Sequence, residues 1–194
     1  MDHNYVEEYL RRSAAALDAV VADAQFRATV EAIAAAVTKA LRGNGKLLLA
    51  GNGGSAADAQ HLAGEFLSRF VSDRQPLPAI ALTTDTSVLT AIGNDYGFDH
   101  VFERQVRGLG RPGDVFLAIS TSGRSRNVLA ALRAARAANV VTVGFTGKNP
   151  GDMAGLCDHC LCAPSAETPI IQQIHIIAGH IVCGLVEQEI LRKP

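Results

Sequence analysis

The sequence predicts an α/β fold of three α/β/α layers around a parallel, five-stranded sheet. Three observations carry that prediction: five short, almost wholly apolar runs, longer alanine-rich segments between them, and glycine- or hydroxyl-rich turns directly after several of the runs. A strand covered on both faces reads as continuously apolar, and the helices that cover it are the crossovers that keep its neighbours parallel.

Two helices come first. Apolar residues recur at helical spacing from about residue 4 to 22 (Tyr5, Val6, Tyr9, Leu10, Leu17, Val20, Val21), and again from about 26 to 42 around Val30, Ile33, Val37 and Leu41. The apolar runs follow as KLLLA (46–50), PAIAL (78–82), VFLAIS (115–120), VVTVGF (140–145) and HCLCA (159–163). The last segment, 168 to about 191, opens with Thr168 as a cap and Pro169 at the first helical position. Ile170, Ile171, Ile174, Ile177, Ile181, Val182, Leu185 and Ile190 make it apolar around most of its circumference, which fits a core helix and equally one covered by another subunit. With 194 residues and no repeat or long linker, one domain is expected: leading helices 1–43, an α/β core 44–166 and a closing helix 167–194.

Composition narrows the functions. Lys and Arg total 18 against 19 Asp and Glu, and no basic stretch offers a nucleic-acid footprint. The first residues, MDHNYVEEYLRR, lack the apolar centre of a secretory signal, and no apolar run approaches the ~20 residues of a membrane span, so a cytoplasmic protein with no membrane partner is expected. Three of the four cysteines cluster in CDHCLC (Cys157, Cys160, Cys162). A zinc reading of that cluster lacks a fourth ligand at usable spacing, and ordinary thiols account for it.

In open parallel sheets ligands sit beyond the carboxyl ends of the strands, so the turns after the apolar runs hold the chemistry. The first, GNGGS (51–55), fits the permissive dinucleotide pattern through Gly51, Gly53 and Ala56, and also fits a purely structural turn. The acidic residue that pattern needs about 20 positions later is missing: Asp73 precedes the second run, and Asp85 stands at the wrong distance. After the third run, STSGRS crowds Ser120, Thr121, Ser122 and Ser125 at the start of a helix. One hydroxyl suffices for a cap; four suggest a phosphate held by backbone N–H groups and the helix dipole. Between these turns, His61 and Glu65 lie four residues apart on one helical face, as a solvated pair or a joint metal or substrate site. The closing helix adds Gln172, Gln173, His175 and His180; only one of the two histidines can share a face with Gln172.

The segments GNGGSAADAQHLAGEF, TAIGNDYGF, ISTSGRSRNVL, VGFTGKNPGDMAG and IIQQIHIIAGHIV together resemble the phosphoheptose isomerases of the sugar isomerase (SIS) domain family over essentially the whole chain. That resemblance implies a sheet of flavodoxin-like order, a homotetramer, and conversion of sedoheptulose 7-phosphate to D-glycero-D-manno-heptose 7-phosphate for bacterial heptose biosynthesis. It implies that Ser55, Ser120, Thr121, Ser122 and Ser125 hold the phosphate, that Asn52, Gly53, Gly54, Asn94, Asp95 and Gln172 line the sugar, and that Glu65 is the base and His180 the acid. It implies zinc on His61, Glu65, Gln172 and His180. Ligation would lower the basicity of Glu65, a tension relieved if substrate displaces it. Some relatives carry an aspartate just before the last helix, where this chain reads AETPIIQ, with Glu167 and Thr168 as substitutes. Two other readings remain in play: a non-catalytic SIS relative that binds the bacterial replication initiator, which need not keep Glu65 and His180, and a dinucleotide oxidoreductase.

Overall fold

The structure, a computed structural model, describes residues 3–192. Helices α1 (His3–Ala22) and α2 (Ala24–Arg42) lead into β1 (Leu47–Gly51), α3 (Gly54–Leu67), β2 (Ala79–Ala81), α4 (Thr86–Tyr96), α5 (Glu103–Leu109), β3 (Val115–Ile119), α6 (Arg126–Ala137), β4 (Val141–Thr146), β5 (His159–Cys162) and α7 (Thr168–Leu191). Asp23 separates the first two helices by accepting from the N–H groups of Gln25 and Phe26. Asp85, set aside above as the acidic residue of a dinucleotide pattern, caps α4 by accepting from Val88 N–H at 3.0 Å.

All five strands are parallel in the order β2-β1-β3-β4-β5, the flavodoxin-like order expected. Alternate strand residues feed opposite layers. Leu47, Leu49, Val115, Leu117, Val143 and Phe145 pack under α2, α3 and α7, while Leu48, Ala50, Phe116 and Ala118 meet the side chains of α4, α5 and α6. The register sets β1 beside β3 from Leu47↔Val115 to Gly51↔Ile119, so both strands end level and their turns, 52–55 and 120–125, emerge side by side. That is the point where the strand order reverses, the crevice in which such sheets hold ligands.

Two expectations about α7 are corrected. The cap position belongs to Glu167, not Thr168, and makes no side-chain cap bond, because the Glu167 carboxylate reaches Arg12 at 3.3 Å. In addition, α7 is long and apolar enough to cross a membrane by length and composition, although no such run was expected. Half of that stretch is buried inside the molecule, where Ile170, Ile171, Ile174, Ala178 and Val182 form the core with α2 and α3. Its polar residues sit where they find protein partners, as described below.

Candidate active site

Two helix N-termini meet at the crevice. At the first, Gly53 takes φ 57°, ψ −124°, which a side chain would resist, and turns β1 directly into α3. A Cβ on Gly54 would lie 2.5 Å from Gln172 Nε2, so the bare backbone there is what lets α7 lay its Gln172 amide over the start of α3. Ser55, one residue on, is buried.

At the second N-terminus, Ser125 occupies the cap position of α6 yet makes no side-chain cap bond. Its hydroxyl shares a 2.9 Å hydrogen bond with Ser120 Oγ instead, so Ser125 does not satisfy the leading N–H groups of α6. The turn is held from behind. Gly123, at φ 64°, packs so closely on the Pro150 carbonyl that a Cβ would lie 1.9 Å from its oxygen, and Gly147 N–H donates to Thr121 O at 3.0 Å. Ser122 Oγ accepts from Arg124 N–H within the turn.

A residue not anticipated from sequence joins the two. Asn127, buried on α6, exchanges reciprocal amide hydrogen bonds of 2.9 Å with Asn52, and its Oδ1 also accepts from Val128 N–H. The amide of Asn52, expected to meet sugar hydroxyls, is therefore engaged by Asn127. The pair ties the turn after β1 to that after β3.

Further along α3 and α7, the side chains of His61, Glu65 and His180 converge. His61 Nε2 lies 2.8 Å from His180 Nε2 and 3.4 Å from Glu65 Oε1, and one ligand atom from each residue falls within 4.8 Å of the others. The i, i+4 spacing on α3 supplies His61 and Glu65, and α7 brings His180 across. Phe70 stacks on the His180 ring at 5.6 Å between centroids. Two imidazole nitrogens and a carboxylate oxygen aimed at one point form a donor set suited to zinc, and no cysteine joins any such group among the described residues. Gln172 lies on the same helix as His180, eight residues earlier, with its side-chain amide over Gly54.

The backbone around Glu65 is fixed by a buried ion pair that lies far apart in sequence. Arg74 donates to Glu187 Oε2 at 3.1 Å and to the carbonyls of Glu65 and Phe66 at 2.8 Å each. Glu187 also accepts from the N–H groups of Phe70, Val71 and Ser72. Burial works against its charge, but those three N–H groups and Arg74 outweigh it and hold its carboxyl below the usual carboxylate range. Asp58, one turn before His61, has its carboxyl pushed up by burial, an effect the His61 charge opposes, and its Oδ2 has no hydrogen-bond partner. His175, the other histidine of α7, lies in the core, where its Nε2–H donates to Thr146 O at 3.0 Å. Asn94 and Asp95 are exposed in the last turn of α4 and bond to each other at 2.8 Å; no hydrogen bond or ion pair joins them to the rest of the site among the described residues.

Comparison with known proteins decides what this crevice belongs to. The SIS domain family model matches residues 8–147. The chain is 55% identical over 189 residues to a phosphoheptose isomerase of Burkholderia pseudomallei, covering 97% of this chain and 96% of the relative. This chain belongs to the phosphoheptose isomerase family of SIS domain proteins. Within the family it is also 50% identical to the phosphoheptose isomerase of Aneurinibacillus thermoaerophilus, over 98% of this chain and 96% of that one. The family's solved structures agree: the phosphoheptose isomerase of Francisella tularensis superposes with a TM-score of 0.93 at 34% identity, and that of Neisseria gonorrhoeae with 0.88 at 43%, each covering 97% of this chain and 99% and 100% of theirs. The family model ends at residue 147, before α7, yet these relatives and structures extend across nearly the whole chain.

Proposed function

We propose that the protein is an aldose–ketose isomerase that converts sedoheptulose 7-phosphate to D-glycero-D-manno-heptose 7-phosphate through a cis-enediol, for bacterial heptose biosynthesis in the cytoplasm. The observation that carries this reading is the convergence of Glu65 and His180 along α3 and α7, the first of which starts at the crevice where two helix N-termini carry hydroxyls. Ser55 and the 120–125 turn hold the phosphate by hydroxyls and N–H groups, and Gln172, lying over Gly54, faces the sugar chain. Moving the carbonyl from C2 to C1 requires a proton to leave C1 and one to arrive at C2. Glu65 performs both transfers on one face, while His180 carries a proton between the two oxygens.

His61, Glu65 and His180 would hold a zinc ion, which when bound supplies positive charge to stabilise an enediolate oxygen. Glu65 would then be shared between ligation and proton transfer. The retention of both Glu65 and His180 speaks against a non-catalytic relative that binds the replication initiator. We further propose a homotetramer, supported by the exposed apolar residues Tyr5, Val6, Leu10, Leu17 and Val21 of α1 and Ile181 of α7.

Incubating the protein with sedoheptulose 7-phosphate in D₂O and following the sugar by NMR tests the proposal: the aldose product appears with deuterium at C2. Glu65→Gln and His180→Gln each reduce turnover by about three orders of magnitude or more with the fold intact by circular dichroism. A near-normal rate in either variant removes that residue from the mechanism.

A further inference from the structure

In the turn that carries the four hydroxyls, Ser120 and Ser125 bond to each other, and Thr121 and Ser122 line a cavity of about 180 Å³ together with Arg124, Lys148, Asn149 and Ser165. No carboxylate lines that cavity. Neither the Arg124 guanidinium nor the Lys148 ammonium has an ion-pair or hydrogen-bond partner among the described residues. Their neighbours differ. Arg126, the first residue of α6, pairs with Asp99 at 2.6 Å, and Glu167, the acid closest in sequence to the cavity wall, pairs with Arg12. The backbones of both free cations are anchored: Arg124 N–H donates to Ser122 Oγ at 3.2 Å, and Lys148 N–H to Ser165 O at 2.9 Å.

Hydroxyls and N–H groups orient a phosphate without neutralising it, whereas an unpaired cation at the same turn lowers the energy of its second negative charge. The structure assigns to Arg124 and Lys148 the recognition of a phosphate dianion at this turn, as specificity-determining residues that favour a phosphorylated sugar over its neutral counterpart. The assignment rests on the reading that the site takes a sugar phosphate, but anion binding can be measured without turnover.

The test is calorimetric titration of the full-length protein with inorganic phosphate at low and moderate salt, beside steady-state kinetics with sedoheptulose 7-phosphate. In the Arg124→Ala/Lys148→Ala double variant, phosphate affinity falls about tenfold, two exposed charges contributing a few-fold each. The loss in kcat/KM is of similar size and is carried by KM, and the salt dependence of both measurements flattens. Lys148→Arg keeps most of the affinity. Arg126→Ala, which removes a cation already paired, changes phosphate affinity by less than about twofold. Unchanged phosphate affinity and KM in the double variant overturn the assignment, as does an equal loss in Arg126→Ala, which would show general charge rather than these two residues. Weakened phosphate binding in a protein that does not turn over sedoheptulose 7-phosphate supports the assignment and overturns the isomerase reading.

Discussion

His175 shows how a residue type alone misleads at this scale. It shares α7 with His180, yet five residues of helix turn it to another face, into the core, where burial pulls its pKa down to about 4 against the weaker opposing pull of the Thr146 carbonyl. Its Nδ1 is buried without a partner, so the folded protein keeps the ring neutral. Because the folded pKa lies below the ordinary 6.5, the unfolded chain takes up the proton first. Folding stability therefore falls as pH drops from 6.5 toward 4 and stops falling on this account below that. Chemical denaturation of His175→Leu across that window loses one proton's worth of slope; an unaltered slope would place the protonation elsewhere. The sequence could say that only one of His175 and His180 faces the site, since helical periodicity separates them. Periodicity alone could not say which, because that depends on the layer against which α7 packs; only the family resemblance pointed to His180.

At the scale of elements, the strands and helices were legible because each apolar run is buried on both faces and each crossover carries helical spacing. What escaped is what joins elements distant in sequence. Arg74 and Glu187 are 113 residues apart, and Asn52 and Asn127 are 75 apart; neither pairing leaves a local period to read. The Arg74–Glu187 pair has a large structural role, since it clasps the loop after α3 to α7 and so sets Phe70 against His180. Glu187→Ala leaves the Arg74 charge buried without its partner and costs about 3–5 kcal/mol, read as a lowered denaturation midpoint. The sign with pH follows from its depressed pKa: the Glu187 contribution is complete above the ordinary carboxylate pKa and is lost as pH falls through the lower, folded value. The variant therefore unfolds in acid with a shallower dependence than the parent, and an identical acid profile would deny the pair its role. The misplaced cap of α7 has the same origin, because Glu167 is held by Arg12 of α1 rather than by its own helix.

For the molecule as a whole, the sheet order and the level ends of β1 and β3 put the 120–125 turn and the turn into α3 side by side, while the group of His61, Glu65 and His180 lies further along α3 and α7. The exposed apolar stripe of α1 is surface that a lone subunit leaves in water. Replacing Val6 and Leu10 with aspartate leaves the subunit folded, since neither side chain is in the core, and shifts sedimentation from the proposed tetramer toward a single 20.4 kDa chain. An unchanged sedimentation coefficient would remove this face from the proposed interface. The reciprocal asparagine bridge bears on speed as well as architecture. Each amide gives and receives one bond, so neither can rotate unless both break, and the two turns meet an incoming sugar phosphate as a prearranged frame. Little reorganisation is then left to accomplish during the proton transfers, and the barrier is spared the cost of assembling its own electrostatic surroundings.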